Sequence, residues 1–182
     1  TLDRQQGANA RATSGLRADL QNAGTNTGEA AGDTYTSIEN LSGSNHNDLL
    51  FGDAKANVLF GLNGNDRISG RDGADKLYGA NGIDRLYGQN GNDRLIGGAG
   101  NDYLNGGSGV DTFVFSTGSG SDFVDDFAVN VDRIEIASGA NSFAGLSIKA
   151  AGADTIITFS NVTIRLDDVL PGQLDAGDFA FV

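Results

Sequence analysis

The sequence predicts an all-β chain wound as a repetitive parallel solenoid, and three observations predict it. Eight nine-residue units follow one another without a gap from Gly43 to Val114. Every unit opens on glycine and carries an apolar residue at its eighth position. Glycine is abundant (28 of 182 residues) with a single proline and no collagen-like triplet, so the glycines serve tight turns in a repeat.

The stretch before the array, residues 1–42, lacks the repeat and reads as a flexible start followed by an irregular N-terminal cap. Leu16, Ala18 and Leu20 alternate as in a strand, with a helix over 12–22 as the alternative. Ile38 and Leu41 stand just ahead of the first unit.

The units read GSNHNDLLF, GDAKANVLF, GLNGNDRIS, GRDGADKLY, GANGIDRLY, GQNGNDRLI, GGAGNDYLN and GGSGVDTFV. The fourth position is glycine in the last six. The sixth is Asp48, Asn57, Asp66, Asp75, Asp84, Asp93, Asp102 and Asp111, and the eighth is Leu50, Leu59, Ile68, Leu77, Leu86, Leu95, Leu104 and Phe113. Positions one to six are expected to form a turn that needs glycine for positive φ and close backbone approach. Positions seven to nine are expected to form a short strand with position eight inward and its neighbours outward. Two units then make one 18-residue coil, and coils stack ~4.8 Å apart.

After the array, residues 115–182 carry strand signals. Ile134 and Ile136 alternate, Ile156 to Phe159 and Val162 to Leu166 flank a Ser160-Asn161 hairpin turn, and Pro171-Gly172 marks another turn. A solenoid needs such a C-terminal β cap, because its last coil otherwise exposes an apolar end and a sheet edge.

Composition narrows the function. The formal charge is −12, from 24 acidic and 12 basic residues. That excludes nucleic acid, which requires a basic surface, and suits a divalent cation. Without cysteine there are neither disulfides nor thiolate metal sites, and a small domain lacking disulfides commonly relies on metal as its staple. No apolar run approaches the ~20 residues of a membrane helix. The polar start, with neither initiator methionine nor secretory signal, reads as that of a piece of a longer protein.

The units match G-G-x-G-x-D-x-U-x, a calcium-binding β-helix repeat. On these motifs the chain resembles the RTX (repeats-in-toxin, hemolysin-type) family of serralysin-type proteases, secreted lipases, pore-forming toxins and epimerase R-modules. The stretch TYTSIENLSGS is similar to segments that lead into RTX arrays, and SDFVDDFAVNVDRIEIAS to the cap that follows them in serralysins and R-modules. The resemblance implies a calcium-loaded parallel β-roll, a right-handed β-solenoid, in which each ion sits between turns two repeats apart and each position-six aspartate bridges two ions. One column is then Asp48, Asp66, Asp84 and Asp102; the other is Asn57, Asp75, Asp93 and Asp111. Asp122 and Asp126 match family positions beyond the array and would complete a terminal site. Five gaps have aspartate on both sides and one is weakened by Asn57, so about five to seven calcium ions are expected by ligand count.

Without metal, carboxylates ~4.8 Å apart would repel by about 3.5 kcal/mol per pair at an effective dielectric near 20. The apo chain is therefore expected to be largely disordered, with folding coupled to calcium. Extracellular modules bind calcium at roughly 10⁻⁴–10⁻³ M, so the chain is expected to fold outside the cell. The resemblance implies export from a Gram-negative bacterium through the type I secretion apparatus, and the ending Asp178-Phe179-Ala180-Phe181-Val182 looks like the end of serralysin-type substrates.

Arg67 and Arg85 on one face, and Lys76 and Arg94 on the other, read as a solvated stripe that offsets the aspartates, or as a binding face for an acidic polysaccharide. His46, the only histidine, reads as a turn residue; a zincin helix needs two. No G-x-S-x-G elbow occurs, and the aspartates are better explained as ligands than as a glycosidase pair. The expected function is a non-catalytic calcium module that supports secretion and stability of a covalently attached upstream domain. The alternative is a polysaccharide- or cell-surface-binding module.

Overall fold

The computed structural model describes residues 14–33, 35 and 38–182. It is an all-β, largely parallel solenoid of about five turns. Before the array lie β1 (Arg17–Asp19) and β2 (Asn40–Ser42). The array supplies β3 (Leu49–Phe51), β4 (Val58–Asn63), β5 (Arg67–Asp72), β6 (Lys76–Asn81), β7 (Arg85–Asn90), β8 (Arg94–Ala99), β9 (Tyr103–Ser108) and β10 (Thr112–Phe115). Beyond it come β11 (Ser121–Val124), β12 (Arg133–Ile136), β13 (Ser147–Ala151), β14 (Asp154–Phe159), β15 (Val162–Leu166) and β16 (Phe179–Phe181).

The strands alternate between two sheets, ordered β1-β3-β5-β7-β9-β11-β15-β14-β13 and β16-β12-β10-β8-β6-β4-β2. Within the array the register is i to i+18: Leu50 pairs with Ile68, Leu59 with Leu77, Leu86 with Leu104. All eight position-eight side chains are fully buried between the sheets, and like residues stack on like because one coil repeats the chemistry of the last. Arg67 lies over Arg85 and Lys76 over Arg94, as expected of outward position-seven residues.

The strands are longer than the sequence predicts. From β4 to β9 each runs six residues, through positions one to three of the next unit, so the tight turn is confined to positions four to six. The extension persists because these positions keep pairing across coils, Leu62 with Ala80 and Asn63 with Asn81. The chain bends there at position two, where Leu62, Arg71, Ala80 and Gln89 hold φ of 86°, 78°, 84° and 78°, a region costly for residues with a Cβ. Glycine at position four is required twice over: Gly82 has φ +136°, and a Cβ on it would lie 1.7 Å from the Gly64 carbonyl oxygen of the preceding coil.

At the N-terminal end, Leu16, Ala18 and Leu20 are buried and β1 pairs in parallel with β3. The described part of 12–22 is thus the alternating strand rather than the helix, and residues 12–13 lie outside the described residues, as do Thr34, Thr36 and Ser37 of the lead-in segment. Asp19, 1% exposed, takes two 2.8 Å bonds from Arg71, and the guanidinium of Arg17 lies 4.3 Å from the ring centre of Phe51. At the C-terminal end, β13, β14 and β15 form an antiparallel meander with Ser160 at the hairpin tip. It joins the roll where β15 pairs with β11, and β16 pairs with β12.

Candidate metal centre

Each turn delivers its position-six side chain onto one of two edges of the roll. The backbone N–H of Asp48 donates to Asp66 Oδ1 (2.8 Å), that of Asp66 to Asp84 Oδ1 (2.8 Å), and that of Asp84 to Asp102 Oδ1 (2.9 Å). The opposite edge repeats this from Asn57 to Asp75 Oδ1 (2.7 Å), Asp75 to Asp93 (2.8 Å) and Asp93 to Asp111 (2.8 Å). The two predicted columns are therefore brought together, one oxygen of each aspartate being used to hold the preceding coil.

The other oxygen has no partner. Oδ2 of Asp66, Asp75, Asp84, Asp93, Asp102 and Asp111 is buried and makes no hydrogen bond, although these residues are at most 2% exposed. Each such oxygen turns toward the position-one glycine of its own unit. A Cβ on Gly79 would lie 2.3 Å from Asp84 Oδ2 and 2.5 Å from the carbonyl oxygen of Gly97 in the next coil. Position one is glycine because that space belongs to oxygens. Among the described residues no three acidic or imidazole side chains converge as a metal cage, so a bound ion would draw on backbone carbonyls as well as carboxylates. A buried carboxylate oxygen beside a carbonyl suits a hard cation that takes oxygen ligands, and leaving it unanswered is costly.

The acidities report the same frustration. Burial pushes Asp66 up to about 7, Asp75, Asp93, Asp102 and Asp111 to about 6, against the pull of the N–H each one accepts. Burial raises Asp84 as well. A proton or a cation would relieve these sites.

The N-terminal rungs differ. Asp48 Oδ2 accepts from Ser44 N (2.5 Å) and Oγ (3.1 Å), and its Oδ1 accepts from Leu16 N (2.7 Å). Asn57 exchanges bonds with Asp53: its Oδ1 accepts from Asp53 N (2.8 Å) and its Nδ2 donates to Asp53 Oδ1 (3.3 Å). Neither leaves an orphaned oxygen. His46 is a turn residue whose N–H donates to Ser44 Oγ (3.2 Å).

Beyond the array both columns continue. Asp122, 3% exposed and pushed up to about 8 by burial, accepts from Asp102 N (2.9 Å). On the other edge the next rung is Asp132, which accepts from Asp111 N (2.9 Å). Asp126 is not on the rung; its carboxylate accepts from Gly106 N and Gly107 N (2.8 and 2.6 Å). Sequence reasoning missed Asp132, yet a signal was present: Asp132-Arg133-Ile134 repeats Asp66-Arg67-Ile68, positions six to eight of the third unit.

A family profile described as the RTX calcium-binding nonapeptide repeat matches residues 42–77 and again 78–113. Residues 42–113 are RTX calcium-binding repeats. No curated protein sequence matches the chain. Among solved structures, the chain is similar to the AlgE6R2 subunit of the Azotobacter vinelandii mannuronan C5-epimerase (29% identity, 80% of this chain and 94% of that one, TM-score 0.42). It is also similar to the AlgE6R3 subunit of that enzyme (24%, 75% and 78%, TM-score 0.47). A third is the extracellular lipase LipA of Serratia marcescens (15%, 75% of this chain, TM-score 0.42), of which the match spans 40%.

Proposed function

We propose that this calcium-binding module folds on extracellular calcium and thereby supports type I secretion and stability of an upstream domain. The observation that carries the reading is the set of six buried carboxylate oxygens without a partner. Each faces the gap to the following coil, which supports six ions, within the expected five to seven. The ligands would be Asp66, Asp84, Asp102 and Asp122 on one edge and Asp75, Asp93, Asp111 and Asp132 on the other. The gaps opened by Asp48 and Asn57 are answered by hydrogen bonds instead, so the sites shift toward the C-terminus relative to the sequence expectation. Six divalent ions carry +12, which balances the formal charge of −12.

On this reading residues 43–114 are the calcium roll, 1–42 its linker and N-terminal cap, and 115–182 a cap that carries the export signal. The module itself is non-catalytic. Calcium titration at pH 8, followed by circular dichroism and by ion count in native mass spectrometry, tests the core of it. Native β-structure in chelator at that pH would refute the coupling. Deleting Asp178 to Val182 should reduce export more than calcium binding by purified protein.

One observation favours the second reading, an acidic-polysaccharide face. Arg67 lies 4.8 Å from the ring centre of Tyr87, and a file of rings follows through Tyr103 (5.6 Å) and Phe123 (5.7 Å) to Arg165 (5.5 Å). The opposite face suits it less, because Arg94 is held by Glu135 through two 2.7 Å bonds.

A further inference from the structure

We propose that the tightest cation site of the chain lies at the C-terminal end of the repeats, between the turns Gly106–Asp111 and Asp126–Asp132, and that its ion locks β16 onto the roll. The inference rests on the calcium reading and ranks one of its six sites, the one opened by Asp111, above the rest.

The register defines the gap. Tyr103 and Leu104 pair with Phe123 and Val124, which carries Gly106 to Asp126; Thr112 pairs with Arg133, which carries Asp111 to Asp132. Gly106 N–H donates to Asp126 Oδ1 (2.8 Å) and Asp111 N–H to Asp132 Oδ1 (2.9 Å), so both ends of the second turn are clasped to the first. The second turn has one residue more than a repeat turn and closes on itself. Ala128 N–H donates to Asp132 Oδ2 (2.8 Å), the N–H groups of Val131 and Asp132 donate to the Ala128 carbonyl (3.0 and 2.8 Å), and Asn130 takes the left-handed φ of 63°. It thus differs from a repeat turn, whose position-four glycines hold φ of 121–155° and whose aspartate Oδ2 is left unpartnered.

Two features set this gap apart. Interior gaps have an aspartate from each of two turns; here the register adds Asp126, whose carboxylate accepts from Gly106 N and Gly107 N at the near end of the same gap, a third negative charge beside the Asp111–Asp132 pair although the three do not converge as a cage. None of the three is ion-paired with Lys or Arg among the described residues. The independent sign of a missing ligand is Asp111 Oδ2, fully buried and without a partner, directed at Gly106, where a Cβ would lie 2.4 Å from it. Ligand charge count is what tightens calcium sites.

The same turn holds the chain end. Asp178, 1% exposed, accepts from Asn130 N (2.9 Å) through Oδ1 and from Asp175 N (2.9 Å) through Oδ2. The next residue begins β16, with Phe179 paired to Ile134. An ion that orders the 126–132 turn therefore presents the Asn130 N–H on which the C-terminal strand is anchored.

The full chain, titrated with calcium alone in a calorimeter and followed by native mass spectrometry and hydrogen exchange of β16, tests this. Asp126→Asn should weaken the highest-affinity class at least tenfold and delay protection of β16 to higher calcium. Asp132→Asn should lose one ion. Asp84→Asn, in the middle of the other column, should leave the highest-affinity class in place. If Asp126→Asn leaves that class and β16 protection unchanged, or Asp84→Asn weakens it as much, the proposal is overturned. If Asp132→Asn fails to fold, Asp126→Asn decides alone. A parent chain that binds no calcium overturns the calcium reading itself, whereas a parent that binds it with unaltered variants overturns only this site.

Discussion

A proton should substitute for calcium. In the unfolded chain the column aspartates titrate near 3.9. In the roll, burial holds Asp75, Asp93, Asp102 and Asp111 near 6, Asp66 near 7 and Asp122 near 8. Between those limits the folded state binds more protons than the unfolded state, so stability without metal falls as pH rises. The stabilisation is complete below about pH 4 and is lost as pH climbs through 6 to 8. On lowering the pH from 8 to 5.5, a group at 6 contributes on the order of 1 kcal/mol, Asp66 about 2 and Asp122 about 3, by the logarithmic binding polynomial. Summed over independent sites that is on the order of 8 kcal/mol, comparable to the stability of a whole domain. Far-UV circular dichroism of the chain in chelator should therefore show disorder at pH 8 and returning β-structure at pH 5.5, still above the isoelectric point of about 4.2. Asp122→Asn should remove about 3 kcal/mol of that pH dependence. A chelated chain whose β-content is flat between those pH values, or grows with pH, would refute the argument that unanswered carboxylates keep the apo roll open.

Two further outcomes test the backbone argument. Gly82→Ala places a methyl group on the Gly64 carbonyl of the neighbouring coil and should raise the calcium concentration for half-folding more than tenfold, read by circular dichroism. At position two, Ala80→Gly should stabilise by about 0.5–1 kcal/mol in urea unfolding with calcium present, because it relieves a φ of 84°. Arg71→Gly relieves a similar strain but removes one of the two cations paired with the buried Asp19, leaving it Arg17 and the N–H groups of Gln21 and Asn22, so it should destabilise by about 1–2 kcal/mol and expose residues 14–22 to protease.

Much of this was legible in the sequence because the determinants are local and repeated. The nine-residue glycine–aspartate–apolar spacing specifies a turn and an inward side chain wherever it occurs, and eight copies fix an 18-residue register. The burial of Leu50 to Phe113 and the two aspartate columns follow from that spacing. What was not legible depends on contacts between distant segments. Position two takes a left-handed conformation even at Leu62 and Arg71, because cross-coil pairing of the next residues outweighs the local preference. Arg94 looks free in its unit but meets Glu135, 41 residues away. Asp132 was hidden because Asp111 reaches it across 21 residues rather than 18, so the period that exposes the rungs within the array skips over it, as it does Asp122, 20 residues from Asp102.

The pairing of each array residue with the one 18 positions later has a consequence for how such chains change length. Inserting or deleting one complete coil shifts the C-terminal cap by one strand spacing and leaves every type of contact unchanged. Inserting or deleting a single nonapeptide instead exchanges the sheets: β11, shaped to sit on β9, would arrive above the strand that β12 now covers. Asp122 and Asp132 would follow the wrong columns, and the meander β13–β15 would join the opposite face. Viable lengths of this roll should therefore come in steps of two repeats, so slippage within the repeated DNA is harmless in even numbers and disruptive in odd ones.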